Sequence, residues 1–459
     1  MRVLHTIHDF LPRHRAGSEI YACALAREQR KHHDVFVLAA EYDPATAHGT
    51  IRWREYQGLT VVELVNNWEF QRFDETYTSE RINAQLRHVL DATAPDVLHV
   101  HNLLNLSFDL PRIAKQRGIG IVATLHDYTL VCASGGQRVH VSEAHVCETI
   151  DAERCARCFG ESALSRQMAA GRLTRGAAGR ALGRTGLFVH RLAPKLAVSA
   201  GRRLGGHAVD AGDIRRRLAY ARHVLDTIDL FVAPSASIGD EFVRLGAPPD
   251  RVRVSDYGFV PMLAGPRRPR SAHEPLRIGF VGTLVWHKGA HVLIDAARAL
   301  RGSFAVHIHG GTDVFPEYAT DLQRAAAGVP VTFHDGFERD RAGDVYRGLD
   351  VLVVPSLWPE NSPLVIHEAF MHGLPVVGAR IGGVPGLVQH GINGLLYDPF
   401  SSESLRECLQ RLVDDRELVE TLGAGAPGVK SIDEDAREWD ARYREVSGRG
   451  AARTEAMTP

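Results

Sequence analysis

The chain has 459 residues, of which 44% are hydrophobic and 24% are charged. This composition is ordinary for a folded globular protein and excludes a disordered or collagen-like chain, and the length indicates two or three domains. The 54 Lys and Arg residues balance 55 Asp and Glu residues, so no basic excess indicates a nucleic-acid partner.

No run of about 18 apolar residues is present, so the sequence predicts no transmembrane helix. The N-terminus passes directly into a strand-like run and lacks the long apolar stretch of a signal peptide. We therefore expect a cytoplasmic protein, in which the six cysteines are more typical of thiols or metal ligands than of disulfides.

Short apolar runs alternate with helical segments through the first half. Buried runs joined by helices are typical of a parallel sheet that helices cover on both faces. A helix is predicted over Ser18–Lys31. The predicted strands are Val3–Ile7, Val35–Ala39, Val97–Val100, Ile121–Leu125 and Leu230–Ala233.

The pattern restarts after a Pro- and Arg-rich linker at 261–275. A helix at Ala290–Leu300 is accompanied by strands at Leu276–Val281, Ala305–His309, Val331–Phe333, Val351–Val354 and Pro375–Val377. This order predicts two doubly wound, Rossmann-like α/β domains that face each other across a cleft, with ligands at the carboxyl ends of the strands. We assign 1–260 to the first domain, 276–430 to the second, 431–448 to a helix crossing back to the first, and 449–459 to a disordered tail.

Residues 161–208 interrupt the α/β pattern with nine Arg or Lys residues and one acidic residue, Glu161. A basic, partly amphipathic helical insertion is suited to an anionic membrane surface, such as the inner face of the plasma membrane. The alternative is a solvated helical hairpin on the first domain, because charge runs are commonly exposed faces.

The segment after the strand Val351–Val354 predicts a helix start that binds an anion. Ser362 is expected to cap a helix whose first residue is Pro363, and Gly373 is expected to end it. The helix would then point free N–H groups and the positive end of its dipole into the cleft.

Two carboxylates flank this helix start. Glu360 lies in the loop before it, and Glu368 lies about two turns inside it. A carboxylate accepts hydrogen bonds from the vicinal hydroxyls of a ribose, so the pair suits a ligand with phosphates and sugar hydroxyls. The alternative is an ordinary capped helix with surface glutamates.

A glycine-bearing loop follows the strand Leu276–Val281. Gly282 would let the backbone approach a phosphate, and Lys288 would supply a positive charge. The chain contains five lysines, so a lysine in this loop is informative. Gly310-Gly311, after the next strand, forms a second loop of this kind.

The two glutamates with Pro363 between them, together with Lys288-Gly289, resemble the retaining, nucleotide-sugar-dependent glycosyltransferases of the GT-B fold, glycosyltransferase family 4. The resemblance spans roughly residues 2–444, except the basic insertion, and implies an α/β GT-B fold. Three segments of the first half are also similar: Ala16-Gly17-Ser18-Glu19, His126-Asp127, and Asp226 to Ser235.

The resemblance implies a donor site between the domains for a nucleoside-diphosphate sugar carrying UDP or GDP, without a catalytic metal. Lys288 would bind the diphosphate, Glu368 the ribose hydroxyls and Glu360 the sugar hydroxyls. His126 would approach the sugar, so the catalytic candidates are His126, Glu360 and Lys288. The nucleobase would rest near Gly336-Phe337. The other donor-binding residues implied are Gly17, Gly282, Thr283, Gly310, Asn361, Ser362 and Leu364.

Two positions depart from the family pattern. Thr283 stands where the family usually has an arginine, so one phosphate cation is missing or is replaced by another arginine or by His287. Ala16 stands for the first of two glycines. Without the resemblance, His126 would be interpreted as a hydrogen-bonded structural group at a strand end, and His101 is a weaker candidate.

Four cysteines follow His126 in a loop-rich segment at 132–158. The two-residue gap between Cys155 and Cys158 lets both thiolates bind one zinc ion. Together with Cys132 and Cys147, these cysteines would supply all four ligands of a structural zinc site. Similar cysteine sets occur in some proteins that resemble this family. Free thiols are the alternative, and His140 or His145 would be able to replace one ligand.

We therefore predict a glycosyltransferase that transfers a sugar to a glycan or lipid-linked acceptor, with a cell-surface polysaccharide or glycolipid as the product. The glutamate pair argues against an epimerase of the same fold. A phosphorylase of this fold fits less well because the sequence shows no lysine context typical of pyridoxal phosphate. The remaining alternatives are a catalytically silent partner that binds a nucleotide sugar, and a zinc-stabilised membrane adaptor.

Overall fold

The computed structural model describes residues 1–140, 142–162, 164–166, 168, 208–262, 274–313, 315–338 and 341–455. Most of the basic insertion (169–207) and most of the linker (263–273) lie outside these residues. The described part of the chain folds into two large β-sheets that pack against helices. No helix within these ranges is long and apolar enough to cross a membrane.

The first sheet has eight strands in the order β10-β9-β6-β5-β1-β2-β4-β3, and every neighbouring pair is parallel except β3 and β4. Its central strands are buried, as the apolar runs predict. The strands are β1 (Arg2–Ile7), β2 (Asp34–Glu41), β3 (Ile51–Tyr56), β4 (Leu59–Val65), β5 (Val97–Val100), β6 (Gly120–Thr124), the separate hairpin β7 (Val139–His140) and β8 (His145–Val146), β9 (Leu230–Ala233) and β10 (Val252–Val254). The helices are α1 (Gly17–Gln29), α2 (Glu80–Thr93), α3 (Leu110–Lys115), α4 (Ala152–Glu161), α5 (Ala211–Thr227) and α6 (Ala236–Arg244), with short 3₁₀ turns at Asp74–Thr76 and Pro249–Arg251.

The second sheet has six parallel strands in the order β13-β12-β11-β14-β15-β16. The strands are β11 (Leu276–Val281), β12 (Phe304–His309), β13 (Val331–His334), β14 (Val351–Val354), β15 (Val376–Ala379) and β16 (Gly394–Tyr397). The helices are α7 (Ala290–Arg298), α8 (Pro316–Ala325), α9 (Ala342–Arg347), α10 (Leu364–Met371), α11 (Val384–Leu387), α12 (Ser402–Asp414), α13 (Arg416–Ala424) and α14 (Ile432–Glu455), with a 3₁₀ turn at Trp286–Lys288.

Both sheets reverse their strand order at one point, between β1 and β5 in the first and between β11 and β14 in the second. Loops that leave neighbouring strands at such a switch point run in opposite directions and open a crevice at the carboxyl edge. The Gly17, His101, Gly282 and Glu360 loops all follow these four strands. The topology therefore places these four loops at the two crevices.

Helix α14 returns to the first domain. The hydroxyl of Tyr21 donates to Oδ2 of Asp435 at 2.7 Å, and the indole N–H of Trp439 donates to Tyr21 Oη at 3.0 Å. The helix extends to Glu455, and the disordered tail expected at 449–459 stays a prediction. Residues 456–459 lie outside the described part.

Candidate active site

An ion pair joins the loop between β14 and α10 to the 3₁₀ turn after β11. Nζ of Lys288 lies 2.6 Å from Oε1 of Glu360, which also accepts a hydrogen bond from Ser356 Oγ at 2.7 Å. Burial opposes ionisation of Glu360, but Lys288 and the hydrogen bond from Ser356 outweigh it, so its pKa lies below the usual value. The structure thus places two of the three catalytic candidates in direct contact.

Gly289 makes this contact possible. Its φ is 75°, and a Cβ there would lie 1.9 Å from the carbonyl oxygen of Pro355. Only glycine lets the 3₁₀ turn that carries Lys288 approach the loop after β14 so closely. The close approach of these two loops sets the separation of Lys288 and Glu360.

Glu368 lies inside α10 and is 8% exposed. Its Oε2 accepts a hydrogen bond from the hydroxyl of Tyr346 at 2.6 Å, which orients the carboxylate. Tyr346 lies in α9, and no feature of the sequence connects it with the site. Its role depends on the packing of α9 beside α10.

The expectation that Ser362 caps α10 is wrong. The helix begins at Leu364, with Pro363 before it, and the Ser362 hydroxyl instead contacts Oδ1 of Asp256 at 2.7 Å and Nε2 of His367 at 2.8 Å. Asp256 belongs to the segment that leads out of the first domain. Ser362 therefore connects that segment with the start of α10, and the first N–H groups of the helix have no side-chain cap.

The predicted nucleotide residues meet at the ends of β11, β12 and β13. A Cβ on Gly310 would lie 2.3 Å from the carbonyl oxygen of Gly282, so these two loops are in backbone contact. Phe337 packs edge-on against His309, with ring centroids 6.0 Å apart. Gly336 lies in the same loop as Phe337, and Thr283 is exposed beside Gly282.

The two walls of the cleft touch each other. A Cβ on Gly17 would lie 3.1 Å from Cδ1 of Leu364, the first residue of α10. The side-chain amide of Asn361 donates to the backbone carbonyl of His126, and Arg15 donates to Glu338. Gly17, His126, Asn361 and Leu364 therefore meet at the domain boundary, as a site between the domains requires.

His126 is part of a buried hydrogen-bond chain. Its Nδ1 contacts the hydroxyl of Tyr257 at 2.8 Å and its Nε2 contacts Nδ1 of His101 at 2.9 Å. From there Nε2 of His101 contacts Nδ1 of His5 at 2.9 Å, and Nε2 of His5 contacts the amide oxygen of Gln29 at 2.8 Å. In this arrangement the His126 ring has no unpartnered nitrogen for a sugar hydroxyl.

The amide oxygen of Gln29 fixes the direction of this chain, because it can only accept. Nε2 of His5 must then donate, so Nδ1 of His5 accepts from the Nε2–H of His101. In the same way Nδ1 of His101 accepts from the Nε2–H of His126, and Nδ1 of His126 accepts from the hydroxyl of Tyr257, with all three rings neutral. Burial lowers the pKa of His5 to about 4 and that of His126 to about 3. The sequence predicted His126 and His101 as separate candidates, whereas the structure joins them.

Another buried histidine, His99, lies beside this chain, and His5, His99 and His101 have ring nitrogens within 4.8 Å of one another. Nδ1 of His99 contacts the hydroxyl of Tyr443 at 2.7 Å and its Nε2 contacts Thr124 Oγ1 at 2.8 Å. Every ring nitrogen of the three therefore has a hydrogen-bond partner. The group is explained by hydrogen bonding within the core and gives no reason to infer a metal.

His287 carries no positive charge in the free protein. Burial and the neighbouring Lys288 lower its pKa to about 4, so it is neutral near pH 7. Its ring lies edge-on against Trp358, with centroids 5.8 Å apart. Arg15, which the sequence did not single out, is an arginine that reaches across the cleft from the loop before Gly17.

The structure gathers the four predicted cysteines into one cluster after β6. All six pairs among Cys132, Cys147, Cys155 and Cys158 are close enough for their charges to interact. Burial, with this mutual repulsion, raises the pKa of Cys155 to about 12 and that of Cys158 to about 11. The other two cysteines, Cys23 and Cys408, are buried in the cores of the two domains.

Two family models match the chain. The model described as Glycosyltransferase Family 4 matches residues 15–152, and the model described as Glycosyl transferases group 1 matches residues 275–415. The chain belongs to glycosyltransferase family 4. This confirms the predicted family, and the two matched ranges contain every residue of the candidate donor site.

Curated members of the family share part of the sequence. A D-inositol 3-phosphate glycosyltransferase of Streptomyces griseus is 33% identical over 191 residues, which cover 40% of this chain and 36% of that protein. The sulfoquinovosyl transferase SQD2 of Arabidopsis thaliana is 31% identical over 212 residues, covering 43% of this chain and 40% of that protein. The chain thus matches less than half the length of these two relatives.

Solved structures confirm the predicted GT-B fold. Anabaena Alr3699/HepE in complex with UDP and glucose has a TM-score of 0.59 and 15% sequence identity, with all of both chains covered. At this identity the likeness concerns the fold alone. Two Rossmann-like α/β domains with parallel sheets are therefore the architecture of this family 4 chain.

Proposed function

We propose that this protein is a retaining glycosyltransferase that transfers a sugar from a nucleoside-diphosphate sugar to a hydroxyl acceptor. The observation that carries the proposal is the ion pair of Lys288 and Glu360 at the switch point of the second sheet, facing the Gly17 loop of the first domain. A cation, an oriented carboxylate and an uncapped helix N-terminus at one crevice suit a phosphorylated sugar.

Each part of the donor has a candidate partner. Lys288 and the first N–H groups of α10 would bind the diphosphate, and Glu368, oriented by Tyr346, would bind the ribose hydroxyls. Glu360 would accept from the sugar hydroxyls. The nucleobase would lie at Gly336 and Phe337, where UDP and GDP are the candidate nucleotides.

The reaction balances without a metal. The bond between the anomeric carbon and the β-phosphate oxygen breaks, and the acceptor oxygen bonds to that carbon on the same face. The acceptor proton passes to the departing phosphate oxygen. Lys288 and the dipole of α10 stabilise the negative charge that develops on the leaving diphosphate.

Arg15 is our candidate for the second phosphate cation. The family arginine is Thr283 here, and His287 is neutral, so the charge has to come from another element. Arg15 lies two residues before Gly17 and already crosses to Glu338 beside Phe337. When a diphosphate is bound, the guanidinium would exchange Glu338 for phosphate oxygens.

For the acceptor we propose a glycan or a lipid-linked sugar, in the synthesis of a cell-surface polysaccharide or glycolipid. The support is the basic composition of residues 161–208, which suits an anionic membrane surface. Peripheral association with the inner face of the plasma membrane, in the cytoplasm, follows as part of the same proposal. Co-sedimentation with anionic and with neutral vesicles tests it.

A panel of UDP-, GDP-, ADP- and dTDP-sugars tests the activity. We expect one of them to release its nucleoside diphosphate without added metal, and Glu368→Ala and Lys288→Ala to abolish the release. With an acceptor present, ¹H NMR of the product should show the anomeric configuration of the donor. Inversion would contradict the retaining mechanism.

A catalytically silent subunit that binds a nucleotide sugar or another transferase is the second candidate. Thr283 in place of the family arginine favours it, because the leaving group then loses one cation. This candidate predicts nucleotide binding without hydrolysis or transfer of any donor. Turnover of a donor, abolished by Glu368→Ala, would exclude it.

For the four-cysteine cluster we propose a structural zinc ion, which is independent of the transferase activity.

A further inference from the structure

Arg217 in α5 is a buried cation without a carboxylate partner. It is 4% exposed, and its guanidinium donates to the carbonyl oxygens of Leu130 at 3.0 Å and Thr129 at 2.6 Å. Within the described ranges no carboxylate lies within 4.0 Å of it. The carbonyls satisfy its N–H groups but leave its positive charge without an opposite charge, which is costly in a buried position.

The ionisable groups that face Arg217 are the thiols of Cys132 and Cys155 and the hydroxyl of Tyr77, and its guanidinium also lies over the rings of Tyr77 and Phe108, 5.9 and 5.0 Å from their centroids. A negative charge on Cys132 or Cys155 would stabilise its guanidinium. Cys132 ends the turn that contains Thr129 and Leu130, and Cys155 lies on α4, which packs against α5. The missing negative charge would be supplied if these cysteines were thiolates.

We propose that Cys132, Cys147, Cys155 and Cys158 bind one structural zinc ion, and that Arg217 stabilises the negative charge of the resulting site. Four thiolates and one Zn²⁺ carry a net charge of −2, and the four protons pass to solvent. Four protein ligands leave no open position on the ion, so the role is structural.

The four cysteines come from elements that lie next to one another in the fold. Cys155 and Cys158 are three residues apart on α4 and so share one face of the helix. Cys147 follows the hairpin β7–β8, and its N–H donates to Arg138 O at 2.8 Å. No three of the four sulfurs in this described segment lie within 4.8 Å of one another, so zinc binding would have to draw them together.

The two histidines that would be able to replace a cysteine differ in their contacts. Nε2 of His140 lies 3.3 Å from a carboxylate oxygen of Glu161, and its Nδ1 lies 3.3 Å from Glu143. Nε2 of His145 is 2.9 Å from Nη1 of Arg154. Nδ1 of the buried His140 makes no hydrogen bond, so His140 stays an alternative fourth ligand beside the cysteines.

The site would fix the segment that follows the cleft residues His126 and Asp127. Arg217 holds the carbonyls of Thr129 and Leu130, two and three residues after Asp127, and Cys132 comes two residues after Leu130. One zinc ion would thus connect this turn to the hairpin β7–β8 and to α4. The expected consequence of metal loss is a less stable first domain.

Metal content of the purified full-length chain tests the site. We expect about one zinc per chain by mass spectrometry of the metal, loss of that zinc in Cys155→Ser and Cys158→Ser, and retention in Cys408→Ala, the matched control with a buried thiol elsewhere. Cobalt added to the metal-free wild type should give the visible absorption of a tetrahedral thiolate site. Absence of both stoichiometric zinc and the cobalt absorption would overturn the proposal.

Competition with a chelator tests the role of Arg217. Arg217→Met should weaken zinc binding about tenfold or more, as loss of groups around a metal site commonly does. Arg215→Met changes an exposed arginine of the same helix and should keep the wild-type affinity. Equal affinities in the two variants would show that Arg217 does not stabilise the site.

Discussion

Lys288 Nζ lies 2.6 Å from Glu360 Oε1 across two loops that the sequence separates by 72 positions. The carboxylate is 5% exposed and also accepts from Ser356. In the free protein the lysine therefore neutralises a buried carboxylate, and a bound diphosphate would share its charge. The pair thus holds the ammonium group of Lys288 at the crevice in the free protein.

Replacing Lys288 should weaken nucleotide binding. Lys288→Met removes a charged hydrogen bond to the diphosphate, which is worth about 1.5–3 kcal/mol, or roughly 10- to 100-fold in Kd. It also leaves Glu360 buried without its cation, so the pKa of that carboxyl should rise. Calorimetric titration measures the affinity.

The double variant Lys288→Met/Glu360→Gln separates the two effects, because it removes the unpaired charge. It should recover thermal stability but not nucleotide affinity. Lys31→Met, an exposed lysine paired with Glu28, is the control and should bind as the wild type does. Recovered affinity in the double variant would contradict a phosphate contact by Lys288.

Tyr346→Phe should weaken binding less than Glu368→Ala. The phenylalanine keeps the packing of α9 but removes the 2.6 Å hydrogen bond that orients Glu368. A loss of about 0.5–1.5 kcal/mol is expected, or roughly two- to tenfold in Kd. The loss of affinity should vanish for a ligand without a ribose. Inorganic pyrophosphate should therefore bind the wild type and Tyr346→Phe equally well.

The buried histidine chain should make stability depend on pH. The folded pKa of His5 is lowered to about 4 and that of His126 to about 3, whereas the unfolded value is about 6.5. The unfolded state therefore binds more protons between these values. The contribution of these histidines to the free energy of unfolding is complete above about pH 6.5. It is lost as the pH falls towards 4, by up to about 1.4 kcal/mol per pH unit for each histidine.

Urea unfolding at pH 7.5, 6.0 and 5.0 measures this dependence. His101→Gln removes one member of the chain and should show a shallower loss than the wild type. His88→Gln, an exposed histidine of α2, should match the wild type. The same slope in all three proteins would mean that other groups cause the acid sensitivity.

Arg15→Gln tests the proposed second phosphate cation. We expect about tenfold weaker binding of the nucleoside diphosphate and little change for the nucleoside monophosphate, since only the diphosphate extends towards Arg15. Glu338→Gln removes the partner of Arg15 in the free protein and should leave binding equal or stronger. Weaker binding in Glu338→Gln would contradict the exchange of partners.

The sequence predicted the fold well because its strands are buried on both faces. Val97–Val100, Leu276–Val281 and Val351–Val354 are strands over the predicted residues. The edge strand β3 was missed, because it mixes exposed residues such as Trp53 and Glu55 with half-buried ones. Edge strands lack the continuous apolar run on which the prediction depended.

The sequence predicted the residues of the candidate site that lie within sequence motifs, but not the contacts between them. Glu360 and Lys288 lie in such motifs, but their contact depends on how the loops after β11 and β14 pack. Tyr346, Asp256 and Arg217 carry no sequence signal, because each acts through a partner far away in the chain. Ser362 was misassigned because a serine before a proline fits a cap, while Asp256 competes for its hydroxyl.

Titration of UDP and of GDP into the wild-type protein without added metal, repeated with Glu368→Ala and Lys288→Ala, tests the central claim most directly. The donor-site account predicts that one nucleotide binds and that both substitutions weaken its binding at least tenfold. Unchanged binding in both variants would contradict this account, because it would place the nucleotide away from α10 and the Lys288 loop.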